Sequence, residues 1–113
     1  MTLPLIPLDE ATYHPRLAAT RGPALVLFGS PACGACRVAE RHLPRAAPAG
    51  IPLFKVDVQR ATGLARALDL FHLPSLLLYR DGQYHARLDC GINPDALAAA
   101  LDRALSAPPQ EEP

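Results

Sequence analysis

Two cysteines, Cys33 and Cys36, stand three residues apart in the stretch FGSPACGACR, directly after the apolar run from Ala24 to Phe28. A thiol pair at this spacing can cycle between dithiol and disulfide, supply two ligands to a metal, or pack as two small hydrophobes. An apolar strand followed by a short loop and a helix from about Cys33 puts that residue at a helix N-terminus. Free backbone N–H groups and the positive end of the helix dipole stabilise an anion there. A thiol so placed loses its proton more readily, and the thiolate is the attacking species. Positions i and i+3 share one side of a helix, so Cys36 falls beneath Cys33 and can close a disulfide or resolve a mixed one. Gly34 and Ala35 are small and leave the first sulfur open to a protein-sized partner. Cys33 is the expected nucleophile and Cys36 the recessed resolving thiol.

The two competing readings are weaker. A pair of merely packed cysteines sits badly with an exposed helix start. One C-x-x-C supplies two ligands where structural zinc takes four, and neither Cys90 nor any of the four histidines is paired at ligand spacing. No metal and no cofactor are expected.

The bulk composition agrees with a small redox domain. At 113 residues the chain is long enough for one self-sufficient core. Its 11 basic and 11 acidic side chains cancel, and a pI near 6.9 leaves no electrostatic footprint for nucleic acid or an anionic membrane. No apolar stretch approaches membrane-spanning length. The opening MTLPLIPLDE carries no positive residue, so no secretory leader is expected and a cytoplasmic location is. Three cysteines in that setting do not make a disulfide framework, which leaves catalysis or metal binding to explain a cluster.

The elements that must hold the pair are readable from pattern. Leu3 to Pro7 reads as an edge strand, because its prolines prevent central pairing. Asp9 and Glu10 are expected to cap a helix ending near Arg21-Gly22, with Pro15 starting or bending it. Ala24–Phe28 is a strand covered on both faces. The helix from Cys33 is expected to stop or kink at Pro44, and a loop then leads to the strand Leu53–Val58. Thr62 to Asp69 reads as a short helix with Leu64 and Leu68 on one face. Ser75–Tyr79 is a third apolar strand, Asp81-Gly82 a hairpin turn, and Tyr84–Leu88 its partner strand. Asn93-Pro94 opens a last helix carrying Leu97, Leu101 and Leu105. Two parallel crossovers followed by an antiparallel hairpin and a helix predict an α/β three-layer sandwich, a mixed central sheet of four to five strands with helices on both faces. Residues 1–106 form this domain. The remaining APPQEEP, 107–113, is expected to be a disordered polar tail.

With these landmarks in order, VLFGSPACGACR, FKVDV, LPSLLLYRDG and then Gly91, the chain resembles the thioredoxin family from about Leu8 to Leu105. The resemblance implies a thioredoxin-like fold and a thiol–disulfide oxidoreductase acting on protein disulfides or thiols, with electrons from a thioredoxin reductase. It implies a cis Leu73–Pro74 bond beside the sulfurs. It also implies a substrate-binding rim made of Gly34, Ala35, Leu73, Pro74 and Gly91. A non-catalytic binding module that uses the cis-proline groove is the alternative, since one fold hosts many functions.

The departures from the family pattern are informative. Gly29 and Ala32 stand where aromatic residues are usual, and the chain has no Trp. Ala35 stands where many members have proline. The buried acid that assists the resolving thiol is replaced by Leu27, while the lysine that partners it remains as Lys55. An unpartnered buried ammonium is costly. Lys55 is therefore expected to pair with Asp57, two residues along the same strand face, to reach Glu40, or to carry its head into water. Lys55, Asp57 and Glu40 are the candidate tuning groups for the thiols. Without the acid and the inter-cysteine proline, the expected reduction potential lies above the roughly −270 mV of thioredoxin. Cys90 reads as a buried strand-end cysteine near the same loops. His72 is close enough in sequence to Pro74 to influence the thiolate but fits a surface or core position better. His14, His42 and His85 receive no role.

Overall fold

The apolar run forms the middle strand of a five-stranded sheet. In the computed structural model, which describes residues 3–113, the chain runs β1 (Leu5–Leu8), α1 (Tyr13–Ala18), β2 (Pro23–Gly29), α2 (Gly34–Ala46), β3 (Leu53–Asp57), α3 (Thr62–Ala67), β4 (Ser75–Arg80), β5 (Gln83–Leu88) and α4 (Pro94–Ser106). The first two residues of the expected domain lie outside the described residues. Strand order is β1-β3-β2-β4-β5. β3 pairs in parallel with both β1 and β2, and β4 pairs antiparallel with β2 and β5. β2 and β4, buried at almost every position, fill the middle because their side chains are apolar on both faces.

Each face carries its own core. On one, Tyr13 and Leu17 of α1 and Leu64 of α3 pack over Val26, Phe28, Phe54 and Val56. On the other, Ala39 and Leu43 of α2 and Leu97 and Leu101 of α4 pack over Leu25, Leu27 and Leu53. The mixed α/β sandwich of the sequence reading is the observed architecture. No helix among the described residues is long and apolar enough to cross a membrane.

Two local expectations need correction. Asp9 does not start a helix: its Oδ1 accepts the N–H groups of Ala11 and Thr12, closing a turn, and α1 begins only at Tyr13. Pro15 sits in the first turn of α1, where a missing N–H costs nothing. Pro44 does not stop α2, which continues to Ala46. Gln110 of the tail meets the outer edge of β5. Gln110 donates its N–H to the His85 carbonyl at 2.7 Å, and its side-chain Oε1 accepts the Arg87 N–H at 3.0 Å.

Candidate active site

Cys33 is the N-cap of α2, with extended backbone (φ −96°, ψ 110°). Its Sγ accepts the Cys36 N–H at 3.1 Å, the position a capping oxygen takes in ordinary helices. One of the orphan amides of the first turn is thereby aimed at sulfur. Cys33 is half-buried and flanked by exposed Ala32, Gly34 and Ala35, whereas Cys36 is 1% exposed. The two are joined as a disulfide, with Cα atoms 5.2 Å apart.

Cys36 fits where it does because Gly29 lacks a side chain. A Cβ built on Gly29 would lie 2.9 Å from Cys36 Cβ and 3.2 Å from its Sγ. The sequence reading noticed Gly29 only as a missing aromatic. Its signal was a glycine closing an otherwise bulky strand, a mark of close backbone approach.

Strand pairing continues this row arrangement. Gly29 is level with Asp57, and Leu27 with Lys55. Four helical residues rise about 6 Å and two strand residues about 6.6 Å, so successive turns of α2 meet successive rows of the sheet. Cys36 therefore stands on Gly29, and Glu40, one turn later, meets Lys55. Lys55 Nζ lies 2.9 Å from Glu40 Oε1, with the two side chains 42% and 36% exposed. Of the partners foreseen for Lys55, Glu40 is the one joined to it. Asp57 instead accepts the Gln59 N–H and lies 3.9 Å from Arg60 Nε. A groove of about 620 Å³ runs beside these groups, lined among others by Leu27, Gly29, Cys36, Glu40, Lys55 and Asp57.

The remaining predicted residues lie at the same end of the sheet. Ser75 pairs with Phe28, so the cis Leu73–Pro74 bond flanks the segment leading into Cys33. Leu88 pairs with Leu76, which brings the loop carrying Cys90 and Gly91 out beside that proline. Burial pushes the half-buried Cys90 thiol above its ordinary pKa. His72 is exposed, and its carbonyl accepts the Ser75 hydroxyl. Phe71, two residues before Leu73, is 81% exposed. Sequence reasoning gives it no role, although a lone aromatic in the loop leading to Leu73-Pro74 is a visible signal. Among the described residues no group of three or more His, Cys, Asp or Glu side chains could hold a metal ion.

Comparison with known proteins agrees with this geometry. The thioredoxin family model matches residues 4–103. The chain belongs to the thioredoxin family. No curated protein matches it. Among solved structures it is similar to thioredoxin f from spinach chloroplast, in its short form, with 18% identity, a TM-score of 0.77, and coverage of 92% of this chain and 96% of that one. A structure described as the basis of the thiol-resolving mechanism in yeast mitochondrial 1-Cys peroxiredoxin via glutathione/thioredoxin systems matches with 23% identity and a TM-score of 0.72, covering 88% and 94%. The zinc-bound form of human ERp44 matches with 18% identity and a TM-score of 0.74 over 88% of this chain. This chain spans only 31% of that protein's length. At these identities the structural likenesses establish the thioredoxin fold. The Cys33–Cys36 pair within it is consistent with redox function.

Proposed function

We propose that the protein is a thiol–disulfide oxidoreductase that acts on protein disulfides through Cys33 and Cys36. The observation that carries this reading is the cap: a half-exposed sulfur accepts a helix N-terminal amide while its mate is buried directly beneath. In the reducing direction the Cys33 thiolate attacks a substrate disulfide, and one substrate thiolate leaves. Cys36 then attacks Cys33 Sγ, the second substrate thiolate leaves, and the protein's disulfide forms. Two electrons pass from the protein dithiol to the substrate.

A protein substrate suits the rim. Ala32, Gly34 and Ala35 are exposed, small and uncharged, and Phe71 offers apolar surface beside the Leu73–Pro74 segment. An extended substrate segment would lie against Pro74, with Gly91 on the far side. A thioredoxin reductase is the proposed electron donor.

Insulin reduction driven by dithiothreitol tests the proposal. Wild-type protein should accelerate precipitation of the insulin B chain, and Cys33→Ser should fall to the uncatalysed rate. Equal rates for the two proteins would reject catalysis and leave a binding module built on the cis-proline groove.

A further inference from the structure

Resolution of the mixed disulfide requires Cys36 to lose a proton, yet Cys36 is almost wholly buried, it stands on Gly29, and the next residue on that face of β2 is the apolar Leu27. We propose that Glu40, positioned by Lys55, accepts the Cys36 proton through one water in the groove; the inference rests on the oxidoreductase reading above. Cys36 and Glu40 are i and i+4 on α2, which puts their Cβ atoms roughly 5–6 Å apart on one face. Both line the same groove, and a single water there is the proposed bridge. The Lys55 ammonium, 2.9 Å from Glu40 Oε1, ties the carboxylate to β3, the strand beside β2.

The step balances. The Cys36 thiol proton passes to the water while a proton of that water passes to the Glu40 carboxylate. The Cys36 sulfur forms a bond to Cys33 Sγ, the bond between Cys33 and the substrate breaks, and the substrate departs as a thiolate. Glu40, open to solvent on its other side, returns the proton to water. Four other charged side chains line this groove: Arg37 on α2, Asp57 on β3, and Asp9 and Arg60 in the loops after β1 and β3. Acids and bases are balanced among them, and Asp57 is drawn towards Arg60. Of the acids, Glu40 is the one on the helix that carries Cys36.

The test separates the two chemical steps, in a Cys90→Ser background. Reduced protein is mixed in stopped flow with an aromatic disulfide reagent whose released thiolate absorbs visible light. A first phase reports attack by Cys33, and a second reports release of the aromatic thiolate from Cys33 by Cys36. The second phase of the protein with Glu40 intact should be nearly flat across neutral pH. Glu40→Gln should slow it by roughly 10²-fold, the usual scale for a positioned base. Its rate should then climb about tenfold per pH unit as the thiolate fraction rises. Glu40→Asp should recover most of the rate, and Lys55→Met should fall between. A normal first phase with a second phase unchanged in rate and pH slope by Glu40→Gln overturns the inference alone. Absence of the first phase rejects the oxidoreductase reading, and this inference with it.

Discussion

Gly29 is occupied, in effect, by Cys36. The 2.9 Å approach that any Cβ there would make means Gly29→Ala must push the first turn of α2 away from β2. Overpacking of this kind costs about 1–3 kcal/mol. The urea midpoint of the oxidised variant should drop accordingly, with the slope unchanged. An unchanged midpoint would show that α2 yields freely and that the close fit is incidental. The same residue marks a limit of sequence reading. The spacing of Cys33 and Cys36 was legible because helix geometry acts within four residues. The contact between Gly29 and Cys36 spans a loop, and nothing local announces it. Lys55 shows the intermediate case: the strand face it shares with Asp57 was legible, but the choice of Glu40 depended on how α2 lies across the sheet.

Elements with strong local chemistry matched their expectation. Asp81 and Gly82 both have positive φ, 52° and 82°, as a two-residue hairpin requires. Asn93 Oδ1 accepts the Ala96 N–H at 2.9 Å, as an N-cap should. Elements whose signals compete did not. Asp9 satisfied a turn instead of a helix, and Pro44 was absorbed because α2 is held by its buried face of Ala39, Leu43 and Ala46. The tail makes contacts that its composition does not announce. Its composition lacks anything to bury, yet one glutamine supplies both a donor and an acceptor to the open edge of β5. Pro108 and Pro109 beside it offer no N–H, so the edge is closed without creating a new one. Deleting 107–113 should speed hydrogen exchange at the Arg87 amide, which would lose its partner. Exchange at that amide as slow as in the full chain would contradict the edge-covering role.

At the scale of the molecule, the fold was readable because period and punctuation alternate cleanly, whereas the depth of the core was not. Tyr13, Tyr79 and Tyr84 stack edge-on through it, and the Tyr13 hydroxyl donates to Tyr79 at 2.6 Å. Burial raises all three phenols, Tyr79 to about 12. The folded chain keeps these protons above pH ~10, where the unfolded chain sheds them. Stability should therefore be complete below pH ~10 and decline as pH rises towards 12. Tyrosinate absorbance should appear together with loss of structure, and a urea midpoint constant up to pH 12 would contradict this. Both cores serve to hold one helix end under one sulfur. The most direct check is alkylation of the reduced protein as a function of pH, with each cysteine resolved by peptide mass spectrometry. Cys33 should react first, with a midpoint below the ~8.5 of an ordinary thiol, while Cys36 and Cys90 stay protected. A Cys33 that titrates at or above that value, or a Cys36 that reacts before it, would contradict the assignment of the attacking sulfur.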